Sequence, residues 1–380
     1  MELLLCKVSE SDDEVHLWLP RAIGAQFFKS SSVAALIASA ASNRRLSVID
    51  WTQTKNVSEI NQRFGTTIEG LTSLIYSDHI LNATKDAIDP DTSNIKWTIV
   101  QREGIAEPDA RGASLTFCAF DETDAPSIPI AFISMDTKEK FSREFIKYRR
   151  KYFEAGVGEK YSEQIEPALF EHDVGGEKLQ VARPSSDVDL AHFVFELFQN
   201  SLEHGCKDEK GRVVRGFRYI TIRKHISHNK DEFISRAADF YELKRYLDSN
   251  ISGNRTFSFY EISISDHGLG IIERFSVTRP DLDVECEGGE DQARLINRIM
   301  AHALSSKRAV SGAGHGLKRA MNAVKRLRGF VSLRTNNCWL YYTHNSSPSH
   351  AADVELFPVR ESENLPRVAG THVNMLFPLS

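Results

Sequence analysis

Ile262-Ser263-Ile264-Ser265-Asp266-His267-Gly268-Leu269-Gly270-Ile271 decides how the rest of this chain is read. Its first four residues alternate apolar and polar, the period of a strand with one face toward a core. The strand ends in an acid, and glycines follow at alternate positions, 268 and 270. Glycine lets a backbone turn sharply and lie close against a flat ligand, and an acid at a strand end can accept a hydrogen bond. A hairpin turn accounts for the same letters, so this segment alone leaves both readings open.

Upstream, Glu196-Leu197-Phe198-Gln199-Asn200-Ser201-Leu202-Glu203-His204 has helical periodicity, with Glu196, Asn200 and His204 on one face at i, i+4 and i+8. Leu190, Phe193, Val194, Leu197 and Phe198 fall on the adjoining face, which is expected to pack on a sheet. A carboxylate and a carboxamide one turn apart can orient a water and ligate a hard cation. The polar stripe of an ordinary amphipathic helix is the plainer reading. Downstream, Ser311-Gly312-Ala313-Gly314-His315-Gly316-Leu317 opens a helix that carries Lys318 and Arg319. Alternate glycines free backbone N–H groups and a helix N-terminus adds its dipole, a combination suited to phosphate. The alternative is a flexible loop. Gly370-Thr371 heads the last expected strand, either as a hydroxyl within reach of a ligand or as a simple turn.

In this order, the four segments resemble the GHKL family of ATPases, which groups gyrase, heat-shock chaperones, histidine kinases and mismatch-repair proteins around the Bergerat ATP-binding fold. The resemblance spans Val188 to Leu379. It implies that Glu196 stands where the family's general base polarises the water attacking the γ-phosphate, and Asn200 where Mg²⁺ is ligated. Asp266 would accept the adenine amino group, with Gly268 and Gly270 clearing room beside the base. Gly312, Gly314 and Gly316, closed by Leu317, would form the phosphate-binding turn of a lid running roughly from Glu273 to Ser311. Thr371 would support Asp266 and its water, while His204 and Lys307 count among the nucleotide contacts. ATP and Mg²⁺ are therefore the expected cofactors.

Three departures shape the functional expectation. A helix over 231–247 is inserted between family strands. The last matched strand leaves no room within the chain for a transducer domain with its catalytic lysine. No His-Glu/Asp phosphoacceptor helix precedes the matched region, and the run Asn200-Ser201-Leu202-Glu203-His204-Gly205 is most similar to the family's anti-sigma serine kinases. The expectation is an ATPase or ATP-switched regulator with Glu196 as base. The alternatives are a protein kinase acting in trans and an ATP-dependent, nucleic-acid-associated factor of repair or defence.

The 380 residues exceed the usual size of one core, and 41% hydrophobic with 26% charged residues is ordinary for a globular protein. The glycines and prolines between 156 and 187 place a linker at 161–187, between an α/β domain over 1–160 of unknown role and an ATP-binding domain over 188–380. Within the first part, helices are expected over 22–42, 58–80 and 137–155, and strands over 45–51, 95–102, 114–120 and 128–135. The second part is expected to form an α/β (α+β) sandwich with helices on one face of a mixed sheet, including a hairpin at Asn336-Asn337.

Five scattered cysteines form no CxxC pair, and no apolar run approaches the ~20 residues that span a bilayer, so a reducing, cytoplasmic setting without membrane contact is expected. The net charge of −5 gives no global pull on nucleic acid. Locally, 292–352 holds no Asp or Glu but many Lys and Arg residues, and its basic stretch 294–334 is a candidate docking face for nucleic acid or an acidic protein partner. A solvated helix face is the plainer reading of the same charges. A separate protein partner is expected, and a homodimer is one arrangement open to it.

Overall fold

The computed structural model of the chain describes residues 8–10, 14–19, 27–41, 45–49, 68–82, 84–85, 87, 98–99, 101–103, 113–121, 132–133, 173–174, 177–178, 193, 196–197, 200–201, 205, 208–210, 216–252, 256–279, 289–301, 316–344, 354–359 and 365–379. The helix expected over 137–155 lies outside these residues.

The first elements form a small unit. Strands β1 (Val8–Glu10) and β2 (Glu14–Trp18) pair antiparallel, and β3 (Arg45–Ile49) and β4 (His79–Leu81) add in parallel, in the order β1-β2-β3-β4. Parallel neighbours need a crossover, supplied here by helices α1 (Lys29–Ala40) and α2 (Ile68–Tyr76). Val15, Leu17, Leu46, Val48 and Ile80 bury against Val33 and Ile37 of α1. Ala34, on the other side of α1, belongs to the core of the larger sheet, so this alanine-rich helix lies between the two sheets.

Short strands β5 (Thr98–Ile99), β6 (Gln101–Glu103), β7 (Ala113–Asp121) and β8 (Phe132–Ile133) follow, then a small ribbon of β9 (Asp173–Val174) and β10 (Glu177–Lys178). Beyond these come β11 (Gly216–Ser227), α3 (Lys230–Ser235), α4 (Tyr241–Asn250), β12 (Phe257–Asp266), α5 (Gly270–Thr278), α6 (Gly289–Ala301), α7 (Gly316–Arg326), β13 (Phe330–Asn336), β14 (Cys338–Thr343), β15 (Phe357–Pro358) and β16 (Val368–Leu379). The large sheet runs β15-β14-β13-β16-β12-β11-β7-β8-β5, with β6 also on β7. It is mixed, with β5 and β8 parallel and its central pairs antiparallel. This sheet crosses the linker expected at 161–187: β7 pairs with β11 from Gly216↔Asp121 to Arg223↔Ser114.

Helices cover both faces of the sheet, where one covered face was expected. The reason is the strand pattern. Ile262, Ile264, Val331, Leu333, Val373 and Met375 point to one face and bury against α5, α6 and α7. Phe259, Phe330, Trp339 and Leu376, at the alternate positions, point to the other and need their own cover. The insertion provides it as two helices rather than one, broken where Ala238 takes φ +47° and Phe240 turns inward. Phe240 packs with its ring tilted at 4.9 Å against Trp339 and edge to face at 5.3 Å against Phe330, and Phe233 lies 5.4 Å from Phe259. A fully buried side chain of this size contributes about 1.5–3 kcal/mol.

Two parts of the stretch expected to form a lid, roughly Glu273 to Ser311, are helical as well. Ile272 and Phe275 of α5 and Leu295, Ile296 and Ile299 of α6 are buried, so much of the stretch read as a lid is packed structure. Among the described residues, no helix is long and apolar enough to cross a membrane.

Candidate functional site

Phe193, Glu196, Leu197, Asn200 and Ser201 are helical, as the periodicity requires, and Phe193 and Leu197 are buried in the main core. Glu196 and Asn200 face the start of α7. A Cβ built on Gly316 would stand 2.8 Å from Glu196 Oε2 and 3.7 Å from Asn200 Oδ1, so a side chain there would push the Glu196 carboxylate out of its present position. One helical turn into α7, Arg319 Nη1 donates to Glu196 Oε1 at 3.2 Å. The Arg319 side chain is 63% exposed, so this ion pair adds little stability and the guanidinium is free to move.

The N–H of Gly205 donates to Ser201 O at 2.9 Å. A Cβ on Gly205 would meet Asp266 Cβ at 2.4 Å, and one on Gly268 would meet the Gly205 backbone at 2.9 Å. The first two motifs therefore touch through two glycines. Asp266 ends β12 and is paired with Thr371 of β16. Gly370 has φ +79°, and a Cβ there would fall 1.9 Å from the Asp266 carbonyl oxygen. The fourth motif is thereby pressed onto the second.

Asp266 is buried, and that burial pushes its carboxyl up from 3.8 to about 6 against three opposing pulls. These are the N–H of Gly268, which donates to Oδ1 at 3.1 Å, the Arg218 guanidinium, and the backbone N–H of Thr371. The support from Thr371 is thus its main-chain N–H; its hydroxyl lies 3.4 Å from Thr335 Oγ1. Arg218 lies one step beyond the Tyr219↔Ser265 pair, beside Asp266 across the sheet.

Gly268 and Gly270 were expected to clear room for a base. In the structure the space at Gly268 is taken by Gly205, and that at Gly270 by Asn336 Oδ1 and Thr335 Oγ1, 2.5 and 2.7 Å from a Cβ placed there. Thr335 and Asn336 cap α5 from outside. Ile271 N donates to Thr335 Oγ1 at 3.0 Å, Ile272 N to Asn336 Oδ1 at 3.1 Å, and Asn336 Nδ2 to Leu269 O at 2.9 Å. Gly270 supplies the φ of +81° that lets the chain enter this cap.

Of the residues singled out in the sequence, the structure brings together Glu196, Asn200 and Gly316, and separately Asp266, Gly268 and Thr371. Leu317 packs at the edge of the main core. His204, Lys307, Gly312 and Gly314 lie outside the described residues. Arg334, counted in the basic stretch, is instead buried and donates to the carbonyls of Asn336, Cys338 and Pro366, bracing the hairpin beside the site. Residues not anticipated are Arg218, Thr335, Asn336 and His267. Only His267 carried a signal, its position inside the Asp-x-Gly motif. Among the described residues no cluster of three His, Cys, Asp or Glu side chains is arranged for a metal. Comparison with protein-family models, with curated proteins and with solved structures finds no match to this chain.

Proposed function

We propose that this chain binds ATP with Mg²⁺, with Asp266 accepting from the adenine amino group and the start of α7 facing the phosphates, and that it acts as an ATP-switched regulator that hydrolyses ATP with Glu196 as base. The finer reading of the sheet as a Bergerat-type ATPase fold belongs to this proposal. The observation that carries it is convergence: Gly205, Gly268 and Gly370 bring the first, second and fourth motifs into contact at positions where a Cβ would strike Asp266 or the facing backbone, and Gly316 sets the start of α7 beside Glu196 and Asn200. Asp266 adds chemistry, because burial holds its carboxyl near 6 even with the Gly268 and Thr371 N–H groups and Arg218 beside it, a setting that a further donor would relieve.

Mg²⁺ fits these residues in one way only. Asn200 offers a single neutral oxygen, so the remaining ligands would be phosphate oxygens and water, the usual habit of this ion. When bound it would neutralise phosphate charge. Glu196 would orient the attacking water, and Arg319, now on its carboxylate, would have to release it first.

Calorimetric titration tests the reading. ATP should bind in the presence of Mg²⁺ and GTP much more weakly, because guanine presents a carbonyl where Asp266 needs a donor. Asn200→Ala should lose Mg²⁺-dependent binding with an unchanged circular dichroism spectrum. Equal affinities for ATP and GTP, or an Asn200→Ala protein that binds normally, would overturn it.

A further inference from the structure

The N-terminal unit meets the large sheet on the face opposite α5 to α7, and several of its contacts fall behind the candidate site. The Tyr76 hydroxyl at the end of α2 lies 3.2 Å from His267 Nδ1, with the rings edge to face at 5.2 Å. Ser39 Oγ of α1 accepts the N–H of Ala369 at 2.9 Å, and Ser31 donates to Asn374 Oδ1 at 2.7 Å. His267 directly follows Asp266, and Ala369 directly precedes Gly370. Tyr76 is also packed against both the small core of the N-terminal unit and the main core.

These contacts leave the backbone at Asp266 little freedom. Gly370 abuts its carbonyl from β16, and Gly205 abuts its side chain from the helical segment. His267 is held from three sides: by Tyr76 of α2, by Tyr219 of β11 at 6.2 Å, and by His372 of β16 at 5.5 Å. Burial and the His372 ring keep the His267 imidazole neutral, so Tyr76 meets it as a neutral hydrogen-bond partner. The charged groups nearest this cluster are Asp266 itself, Arg218 of β11, and Arg334 of β13, which acts on His372.

We infer that Tyr76, acting through His267, is a positioning residue for Asp266, and that through it the N-terminal unit sets nucleotide affinity and responds to nucleotide occupancy. The nucleotide half of this inference rests on the function proposed above. The response follows from linkage: if docking of the unit strengthens binding, binding must strengthen docking by the same factor.

The test uses the full chain and Tyr76→Phe, which keeps the ring between the two cores and removes only the hydroxyl. Three quantities are measured: the titration midpoint of the Asp266 carboxyl by carbon-13 NMR without nucleotide, ATP and GTP affinities by calorimetry, and hydrogen exchange of 29–40 and 68–76 with and without ATP–Mg²⁺. In the variant the midpoint should fall from about 6 toward the ordinary carboxylate value, as water reaches a loosened Asp266. ATP affinity should fall about 10-fold with kcat at saturation unchanged, and ATP should slow exchange in both helices of the wild type but less in the variant. Ser39→Ala, which frees the N–H of Ala369, should move the same readouts and serves if Tyr76→Phe does not fold. A variant with a lower melting temperature but an unmoved midpoint and unchanged ATP affinity would overturn the inference, leaving Tyr76 a purely structural contact. A wild type that binds no ATP would remove the proposed function and the nucleotide half of the inference, while the midpoint would still decide whether Tyr76 positions Asp266.

Discussion

Asp266 carries a cost that its neighbours only partly offset. Raising a carboxyl from 3.8 to about 6 means that keeping it ionised at neutral pH costs the fold on the order of 3 kcal/mol. Its folded-state value lies above the unfolded one, so its stabilising contribution is complete below about 3.8 and is lost as pH rises through about 6. Asp266→Asn should therefore melt higher than the wild type at pH 7, with the difference shrinking toward pH 4. Nucleotide affinity should run the other way. Wild-type ATP binding should weaken as pH falls below about 6, where the carboxylate gains its proton, and Asp266→Asn should bind ATP about 1–3 kcal/mol more weakly at pH 7 to 8, with the gap closing below about 6. Parallel melting and titration series from pH 4 to 8 check both signs. A variant that melts lower would mean Asp266 is a structural ion-pair partner of Arg218.

Glu196 is the second residue whose setting has a consequence. Its carboxylate is divided between Arg319 and the start of α7, away from the core that holds Leu197. Glu196→Ala should keep ATP affinity within a few-fold and lower hydrolysis by about 10²-fold or more, because a general base acts mainly in the transition state. Single-turnover hydrolysis checks this, and an unchanged rate would place water activation elsewhere.

Among the elements, the β13–β14 hairpin does more than turn the chain. Asn336, at φ +48°, caps α5, joins the Leu269 carbonyl, and sits where β13 shifts register against β16. Asn336→Ala removes the cap and places alanine at positive φ, so it should cost about 2 kcal/mol in a urea midpoint measurement. Asn336→Gly should recover part of that loss, since glycine tolerates the backbone but makes no cap. Equal losses in the two variants would mean the side-chain bonds, not the φ angle, carry the effect. The asparagine pair was readable in the sequence as a hairpin turn. Its service to a helix more than sixty residues earlier was not, because a cap supplied from another strand leaves no periodicity around α5 itself.

For the molecule as a whole, the shared sheet sets the expectation. β7 is hydrogen-bonded to β11, α1 lies between the two sheets, and the N–H of Phe28, just before α1, reaches Glu261 at 3.2 Å. Glu261 also accepts from His225 at 2.9 Å, inside an aromatic setting that includes Phe27 at 4.7 Å. Removing residues 1–187 would open β11 as an unpaired edge and strand this buried acid beside solvent. The fragment 188–380 should therefore aggregate or melt well below the full chain, by 10 °C or more on the scale expected for several lost kcal/mol. A fragment that melts with the full chain would show that its core is self-sufficient.

Most helix and strand positions across 216–379 followed from the sequence itself, because their residues repeat with periods of 3.6 or 2 and are punctuated by glycine and asparagine; the break that divides the insertion into α3 and α4, the helix α5 and the short β15 did not. Glu196, Asn200 and Asp266 were legible for the same local reason: spacing puts two on one helix face and the third at a strand end. The linker at 161–187 was read from glycine and proline content, which reports on local chain geometry and says nothing about strand pairing across it. That β7 joins β11, that helices cover both faces of the sheet, and that Arg218, Thr335, Asn336 and Tyr76 gather around the Asp266 strand end were decided only by tertiary structure. Pairing between distant strands and close approach through missing side chains depend on which surfaces meet, and a residue's neighbours along the chain carry almost none of that information.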